Sequence, residues 1–420
     1  MKRYSEYKDS GVEWIGEVSR HWEIRKLKYL TFSMQSGDNL TSFQIKDCGT
    51  YPVYGGNGIR GYYDKHNCLD ECLVIGRQGA LCGNVHIIRE PFWATDHAVV
   101  TLPNESSDLV YLYYLTVSMN LNQYASQTAA QPGLAVGAIK NVYTCVPTIS
   151  EQQAIATYLD KKCSEIDKII STQQKRIALL EELKQSIITH AVTKGLNPNA
   201  PMKDSGVEWI GEVPRHWEIC RFKNFISLKT IASTRNAKIG LENIESKTGK
   251  FLQTDTVFEG NGVDFNVGDI VYGKLRPYLQ KVWLAEFDGN AVGDFFVFKT
   301  DSNSFCNYVK YLLLSDGFTK EADGSTAGAK MPRVSSDFIL SLRYAIPPLS
   351  EQQAIAAYLD KSCASIDASI QKANHEIELL QEYKQSLITE VVTGKRRNQG
   401  LDGSAAVDAG RFQIYRLGSF

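Results

Sequence analysis

The segment SEQQAIATYLDK, from Ser150 to Lys161, occurs a second time in this chain with a single change. The second copy, SEQQAIAAYLDK, runs from Ser350 to Lys361. Apolar residues at helical spacing follow both copies, and these are Ile166, Ile170, Ile177, Leu180 and Ile187 in the first and Ile366, Ile370, Ile377, Leu380 and Leu387 in the second. This near-heptad spacing predicts two long helices, each with one apolar stripe.

Both helices have predicted ends, and both need a partner. A serine with a glutamine three residues later, at Ser150 and again at Ser350, predicts a capping box at each start. Gly195 and Gly394 predict the stops. Because both helices carry the same apolar stripe, the economical prediction is that they pair with each other. The alternative is that each helix folds back on its own domain.

A second repeat precedes each variable part of the chain. KDSGVEWIGEVSRHWEI (Lys8–Ile24) returns as KDSGVEWIGEVPRHWEI (Lys203–Ile219), with one difference. Between the repeats lie two inserts, 25–149 and 220–349, whose sequences share almost nothing. The chain therefore contains one internal duplication, with a constant frame around two different inserts.

Both inserts have the pattern of compact, β-rich mixed domains. Short segments rich in β-branched and aromatic residues alternate with turns that contain glycine or asparagine. The predicted strands lie at 51–55, 72–76, 84–90 and 97–102 in the first insert and at 268–275, 281–287 and 294–300 in the second. One short helix is predicted in each insert, at Leu109–Ser118 and Asn307–Ser315. The expected fold class is α+β.

The composition excludes several classes of protein. With 43% hydrophobic and 22% charged residues, the 420-residue chain has an ordinary globular composition. A net charge of −1 argues against a protein that coats DNA through charge alone. The longest apolar stretch, Val110–Met119, is too short to cross a bilayer, and no signal segment is predicted. The nine cysteines are scattered without a CxxC motif, which favours reduced thiols in a cytoplasm over disulfides or a zinc site.

One glycine pattern resembles a nucleotide-binding motif. Gly56, Gly58 and Gly61 satisfy G-x-G-x-x-G after a predicted strand, but the sequence that follows is a poor helix start. A turn-rich loop is therefore the favoured interpretation. The sequence contains no P-loop, HExxH or GxSxG motif. The sequence therefore offers no recognisable catalytic signature.

Several loops offer side chains suited to DNA. Arg77 and Gln78 lie between glycines at a predicted strand end, and these residue types can fork onto guanine and adenine edges. Basic and aromatic residues lie on loops of the second insert, namely Lys274, Arg276, Tyr278, Lys330 and Arg333. The alternative for each loop is a solvated surface. The charge count adds little, because the first insert has nine basic and nine acidic residues and the second has sixteen and fourteen.

Taken together, these motifs resemble the DNA-specificity subunit of type I restriction–modification enzymes. SEQQAIAxYLDK is similar to the start of that family's conserved helix, and KDSGVEWIGEVPxHWEI to the segment that leads into each target recognition domain. YPVYGGNGIRGYYD, IGRQG and FWATDHAVV resemble one type of recognition domain, whereas GDIVYGKLRPYLQKV and GSTAGAKMPRVS resemble another. The resemblance spans residues 8–395.

The resemblance implies a non-catalytic subunit that binds double-stranded DNA. Each recognition domain would read one half of a bipartite, non-palindromic site, and two long antiparallel coiled-coil helices would hold the domains apart. Two modification subunits, which bind S-adenosylmethionine and methylate adenine, would dock on the helices, and restriction subunits that use ATP and Mg would join them. The expected location is a bacterial or archaeal cytoplasm. Within the matching motifs, the further DNA contacts expected are Tyr54, Asn57, Arg60 and His97.

The predicted organisation has a pseudo-twofold internal repeat and five parts. These are target recognition domain 1 with its lead-in (1–149), helix 1 (150–195), a lead-in with target recognition domain 2 (196–349), helix 2 (350–395) and a disordered tail (396–420). A fused enzyme is one rival function, for which the five parts leave no room. The other rival is a non-DNA-binding coiled-coil adaptor, which would show no preference among duplex sequences at any salt concentration.

Overall fold

The computed structural model describes residues 4–79, 81–126, 133–326 and 331–396. The chain divides into two units. Unit 1 takes its residues from Met1–Thr172 and Glu376–Phe420, and unit 2 is Gln173–His375. Each unit therefore contains one insert and part of both long helices. Apart from its first residue, the predicted tail over 396–420 lies outside the described residues.

Unit 1 contains the first lead-in and the first insert. Its strands are β1 (Tyr7–Asp9), β2 (Glu17–Ser19), β3 (Glu23–Lys26), β4 (Thr31–Ser36), β5 (Tyr51–Gly55), β6 (Gly58–Tyr63), β7 (Cys72–Gly76), β8 (Val85–Ile88), β9 (Trp93–Ala94), β10 (Ala98–Pro103) and β11 (Tyr143–Val146). Its α-helices are α1 (Leu109–Ser118), α2 (Val136–Asn141) and the first part of α3 (Ile149–Lys194). Short 3₁₀ helices lie at Leu27–Tyr29, Ser42–Gln44 and Leu121–Tyr124.

Unit 2 contains the second lead-in and the second insert. Its strands are β12 (Met202–Asp204), β13 (Glu212–Pro214), β14 (Glu218–Arg221), β15 (Ile226–Lys229), β16 (Lys238–Ile239), β17 (Val263–Phe265), β18 (Ile270–Gly273), β19 (Val282–Leu284), β20 (Gly289–Ala291), β21 (Phe295–Thr300) and β22 (Arg343–Ile346). Its α-helices are α4 (Cys306–Leu313), α5 (Asp316–Gly324), α6 (Ser336–Ser341) and the first part of α7 (Leu349–Val392). Short 3₁₀ helices lie at Phe222–Asn224, Leu241–Asn243 and Pro277–Leu279.

The two units repeat one topology, although their inserts share almost no sequence. The central antiparallel sheet has the order β4-β10-β7-β8 in unit 1 and β15-β21-β18-β19 in unit 2. In both units the strand after the lead-in pairs with the strand before the long helix, β3 with β11 and β14 with β22. A third sheet in each unit includes one parallel pair. The duplication therefore extends from the frame into the inserts.

The central strand of each insert is buried on both faces. Alternate residues of β7 enter different cores, since Leu73 and Ile75 pack with α1 while Cys72 and Val74 pack on the opposite side. In β18, likewise, alternate residues belong to two separate cores. Successive side chains of a strand point to opposite faces, so a strand covered on both faces is apolar at every position. This explains why CLVIG and IVYG read as continuous apolar runs.

The repeated lead-in is fixed to the first turn of a long helix. The Trp22 indole N–H donates to Glu151 Oε1 over 3.4 Å, and His21 Nε2 lies 2.9 Å from the same oxygen. In unit 2 the Trp217 indole makes the matching bond to Glu351 over 3.2 Å. Both indoles are buried. The two repeats at different positions in the sequence thus form one structural element.

The predicted capping boxes at Ser150 and Ser350 are wrong. In α3 the cap is Thr148, whose hydroxyl donates to Glu151 Oε2 over 2.9 Å and whose N–H donates to the same oxygen over 3.2 Å. Pro348 takes this place before α7 and offers no hydroxyl. The helices begin one residue earlier than predicted, so both serines already lie within the first turn.

Gly195 and Gly394 follow α3 and α7, as predicted. Their φ angles are +73° and +74°, in the left-handed region that favours glycine. A Cβ on Gly394 would lie 2.9 Å from the Trp22 ring, and one on Gly195 would lie 3.3 Å from the Trp217 ring. The lead-in tryptophans therefore pack against both helix ends.

The predicted helix-pairing residues differ in burial. The unit 1 core includes Ile166, Ile170 and Leu387, with Ile377 and Leu380 packed against it. In unit 2, Ile366 is buried, Ile187 packs against the core, and the half-buried residues are Ile177, Leu180 and Ile370. The sequence missed Ile188 and Ile388, which are buried because these helix ends also pack on the cores of the inserts. Pairing along the whole length of the helices stays a prediction.

One lysine–aspartate pair joins the long helices within each unit. Lys384 Nζ lies 2.7 Å from Asp167 in unit 1, and Lys184 Nζ lies 2.7 Å from Asp367 in unit 2. The unit 2 side chains are 8% and 17% exposed, whereas those of unit 1 are 29% and 55% exposed. Equivalent residues of the repeat therefore make equivalent contacts in different surroundings.

Most of the predicted elements of the inserts are confirmed. The helix predicted at Leu109–Ser118 is α1, and the one predicted at Asn307–Ser315 is α4 with slightly different bounds. The glycine-rich segment after β5 forms a turn and then β6, as the loop interpretation required. Over the described ranges, no helix combines the length and apolar character that a membrane span needs.

Candidate nucleic-acid interface

The GRQG segment leaves the central sheet of unit 1 at the end of β7. The Arg77 N–H donates to His97 O over 2.8 Å, and the Leu134 N–H donates to Arg77 O over 2.8 Å. Gln78 forms an isolated antiparallel β-bridge with Gly133, next to these two hydrogen bonds. The segment is therefore held between the turn before β10 and the residues before α2. Three of the predicted DNA contacts, Arg77, Gln78 and His97, meet at this edge.

The side chains at this edge differ in their partners. The Arg77 guanidinium donates to Ser36 Oγ over 3.2 Å, to Leu134 O over 3.3 Å and to Asp96 O over 3.4 Å. Gln78 is exposed. His97 is partly exposed, and its Nε2 lies 3.8 Å from Asp96 Oδ1. This edge thus presents an exposed amide beside a guanidinium that already has three acceptors.

The β5–β6 hairpin adds two further predicted residues. Asn57 and Arg60 are both exposed, and the Asn84 side-chain amide donates to Asn57 Oδ1 over 2.5 Å. The hairpin touches the GRQG segment, because a Cβ on Gly56 would lie 2.5 Å from Gln78 O. The sequence did not indicate Asn84, since nothing in its local pattern signals a partner in another hairpin.

Tyr54 is placed differently from these residues. It is 8% exposed, and its ring meets Phe92 edge-on at 5.3 Å. Burial raises the pKa of its phenol. Tyr54 also lines a cleft of about 970 Å³ together with His86, Tyr113 and Asp160. It therefore contributes to the core and to this cleft rather than to the exposed turn.

The corresponding loop of unit 2 follows β18 and has the sequence GKLR. The Lys274 N–H donates to Asp294 O over 2.9 Å, and the Val334 N–H donates to Lys274 O over 3.2 Å. Leu275 extends the ladder by one bridge to Arg333. These are the three connections that GRQG makes in unit 1. The two loops are therefore equivalent in position although their sequences differ.

One carboxylate organises two of the predicted cations in this loop. Arg333 pairs with Asp294 through two hydrogen bonds of 3.0 and 2.9 Å. Lys274 Nζ lies 3.7 Å from the same carboxylate and 5.5 Å from the centre of the Phe296 ring. Hydrogen bonding from Arg333 holds the pKa of the Asp294 carboxyl below its usual value. Asp294, which the sequence analysis missed, thus positions both cations.

Arg276 and Tyr278 are exposed beside this loop. Arg276 has a φ of +51°, and its N–H donates to Pro332 O over 2.9 Å. Tyr278 is about half exposed. Lys330 lies outside the described residues. A role in DNA binding stays a prediction for every residue of both loops.

The described residues do not form a recognisable metal site. Among them, no group of three or more histidine, cysteine or acidic side chains is arranged to hold a metal ion. All nine cysteines are free thiols. The candidate site therefore consists of amide, guanidinium and ammonium groups on loops, a set suited to hydrogen bonding with base edges and phosphates.

Two inserts of one topology, with different polar side chains at an equivalent sheet edge, define a duplicated scaffold. The model of the family described as "Type I restriction modification DNA specificity domain" matches residues 19–182 and 247–379. The chain belongs to this family, that of the specificity subunits of type I restriction–modification systems.

Proteins named as type I specificity subunits are similar to this chain, some over part of its length and others over most of it. Over 169 residues it is 40% identical to the EcoprrI specificity subunit of Escherichia coli, a match that covers 38% of this chain and 40% of that one. Over 389 residues it is 25% identical to the MjaVIII specificity subunit of Methanocaldococcus jannaschii, covering 87% and 85%. A solved structure from a study of complex assembly and conformational transition of the type I R-M system has a TM-score of 0.64 at 13% identity, covering 89% of this chain and 98% of that chain. The last match shows a shared fold.

Proposed function

We propose that this chain is the sequence-specific DNA-recognition subunit of a type I restriction–modification complex. It reads a bipartite, non-palindromic site, with one half-site for each insert, and has no catalytic activity of its own. The observation that carries the proposal is the pair of equivalent loops, GRQG after β7 and GKLR after β18, which share one hydrogen-bond frame but carry different side chains. Two loops with equivalent backbone contacts but different side chains are suited to binding two half-sites of different sequence.

The chemistry of the loops suits reading in the major groove. Amide and guanidinium groups make paired hydrogen bonds with adenine and guanine edges, and ammonium groups contact phosphates. The net charge of −1 leaves this chain without a strong general attraction to DNA. Partner subunits therefore supply much of the contact with phosphates.

The long helices form an antiparallel coiled coil that separates the inserts and docks two methyltransferase subunits. In each unit, core contacts or an ion pair join the early part of one helix to the late part of the other. Exposed apolar residues recur at equivalent positions, Leu179 and Leu183 on α3 and Leu379 and Tyr383 on α7. Two equivalent patches suit two copies of one partner. S-adenosylmethionine is bound by those partners, and ATP and Mg by restriction subunits.

A selection from random duplex DNA tests this function. The tagged chain is purified with the partners that accompany it, and bound duplexes are sequenced at low and high salt. We expect two unlike short half-sites with a fixed gap, retained as salt rises. A pool without any preferred sequence contradicts the proposal and favours the adaptor. Adenine methylation or cleavage by the chain alone contradicts the non-catalytic role.

A further inference from the structure

The equivalent loops allow their residues to be compared position by position. In both loops the first residue after the strand-ending glycine donates its N–H to the turn before the neighbouring sheet strand, β10 or β21, and its carbonyl accepts from the segment before a short helix. This residue is Arg77 in unit 1 and Lys274 in unit 2. Both are cationic, although the surrounding sequences are unrelated. The recurrence of a cation at this position therefore calls for a role that both loops share.

The contacts of Arg77 are internal to the insert. Its three acceptors lie on different segments: Ser36 at the end of β4, Asp96 before β10 and Leu134 before α2. Two of these acceptors are backbone carbonyls. A guanidinium that turned toward a base would leave these groups without their donor, which is unfavourable when they are shielded from water. Arg77 is therefore built to join three segments.

Lys274 is held in a similar way by different chemistry. Its ammonium lies 3.7 Å from Asp294 and 5.5 Å from the centre of the Phe296 ring. Asp294 also accepts two hydrogen bonds from the Arg333 guanidinium. One carboxylate therefore connects the turn before β21 to the segment before α6. Arg77, Lys274 and Arg333, three of the basic side chains that the sequence suggests as DNA contacts, are thus occupied by contacts within the insert.

Gln78 and Arg276 combine a fixed backbone with an exposed side chain. Gln78 is bridged to Gly133, and the Arg276 N–H is bonded to Pro332 O. Both side chains are exposed. Because the backbone is already fixed, binding a base requires only the side chain to become ordered, so these positions suit specific readout.

We propose that Arg77 and Lys274 are positioning residues, and that Gln78 and Arg276 determine base specificity at these loops. Gln78 reads an adenine in the first half-site, and Arg276 reads a guanine in the second, because these side chains match those edges in pairs of hydrogen bonds. This inference rests on the proposed function and deepens it.

The test uses the full chain with its accompanying partners and two matched pairs of variants. Gln78→Ala and Arg276→Met remove the exposed groups, whereas Arg77→Met and Lys274→Met remove the internal ones. Arg77→Lys keeps the charge but cannot reach three acceptors. Each variant is measured by selection from random duplexes, by affinity for the wild-type site and by hydrogen exchange of the Leu134 and Val334 amides, which bond to the loop carbonyls.

Gln78→Ala is expected to reduce discrimination at one A·T pair of the first half-site on the order of tenfold, with amide exchange unchanged. Arg276→Met is expected to do the same at one G·C pair of the second. Arg77→Met weakens binding across the whole first half-site and accelerates exchange at Leu134, and Lys274→Met does so for the second half-site and Val334. Arg77→Lys gives an intermediate result, and it carries the test alone if Arg77→Met does not fold.

Two results overturn the inference while leaving the proposed function intact. One is a wild-type motif that Gln78→Ala and Arg276→Met leave unchanged. The other is an Arg77→Met or Arg77→Lys variant that loses preference at a single base pair with unaltered exchange at Leu134. If the wild-type complex itself selects no motif, the proposed function fails and this inference fails with it.

Discussion

Two repeated glutamines, Gln152 and Gln352, satisfy backbone groups at the junction of helix and insert. The Gln152 side-chain amide donates to Pro147 O over 3.0 Å, and its carbonyl accepts from the Asp108 N–H over 2.9 Å. Gln352 makes the matching pair of bonds in unit 2. Both glutamines are buried. Because an unpaired buried amide costs free energy, we expect replacement of either glutamine to destabilise its unit.

The first prediction concerns the stability that the Glu151 carboxylate contributes. Burial alone would raise its pKa, but hydrogen bonds from His21, Thr148 and Trp22 leave the pKa of Glu151 below its usual value. We expect Glu151→Gln to lower the free energy of unfolding by about 1–2 kcal/mol at pH 7, since charge-assisted bonds become neutral. The effect should be full above about pH 4.3, the usual glutamate pKa, and vanish as the pH falls through the lower folded value.

Denaturant unfolding at pH 7 and at successively lower pH measures this difference. Glu181→Gln, at an exposed position of α3, is the matched control and should leave stability unchanged within error. A stability loss for Glu151→Gln that grows on acidification would contradict the assignment.

A cysteine pair gives a second prediction. Cys68 Sγ lies 4.0 Å from Cys72 Sγ, and a hydrogen bond from the Cys72 thiol lowers the pKa of Cys68 to about 7. Because the thiolate is the nucleophile, alkylation of Cys68 by iodoacetamide should rise several-fold from pH 6 to pH 7 and level off above about pH 8. Peptide mass spectrometry follows the reaction. In Cys72→Ala the midpoint should move to higher pH, and an unchanged midpoint would show that Cys72 is not the cause.

At the scale of the element, the two ion pairs between α3 and α7 predict unequal effects of equivalent substitutions. Lys184→Met removes the hydrogen bond to the mostly buried Asp367, whose second oxygen keeps Lys250 Nζ at 3.2 Å, so we expect a loss of about 2 kcal/mol. Lys384→Met breaks a more exposed pair and should cost less than about 1 kcal/mol. Denaturant unfolding of both variants gives the comparison. Equal losses would mean that burial does not govern these pairs.

Elements were predictable from the sequence where a local period is long enough to define a face. The apolar stripe through Ile166 and Ile170 and its copy in the second repeat predicted the two long helices. The apolar run at Leu109–Ser118 predicted α1. The cap of α3 was predicted at the wrong residue because both Thr148 and Ser150 have the side chain of an N-cap. The hydrogen bond from Thr148 to Glu151 decides between them, and it depends on how the lead-in packs. Local pattern therefore predicts that an element exists better than where it begins.

The candidate site was predictable only in part, for the same reason. Arg77 and Gln78 were noticed because glycines flank them, but their partners Gly133 and Leu134 lie more than fifty residues away in the sequence. Asp294 was missed because a single aspartate before a strand has no local signature. The equivalence of the two loops is a property of strand order, which unrelated insert sequences do not reveal.

At the scale of the whole molecule, the duplication suggests that the inserts are interchangeable parts. The two ends of each insert meet in a pair of antiparallel strands next to the frame, β3 with β11 or β14 with β22. The bond that closes the insert is also repeated, from the Leu27 N–H to Val142 O and from the Phe222 N–H to Leu342 O, both over 2.9 Å. The cut points for an exchange are therefore the same in both units.

A chain in which residues 222–342 replace residues 27–142 gives the final prediction. Both junctions keep their strand pairing and closing bond, so this chimera should fold with two copies of the second insert. Selection from random duplexes should then return one half-site sequence twice, with the gap of the wild-type site. The reciprocal chimera, with residues 27–142 in both places, is the matched control and should return the other half-site twice. If a chimera melts like the wild type but still selects both original half-sites, specificity does not reside in the inserts.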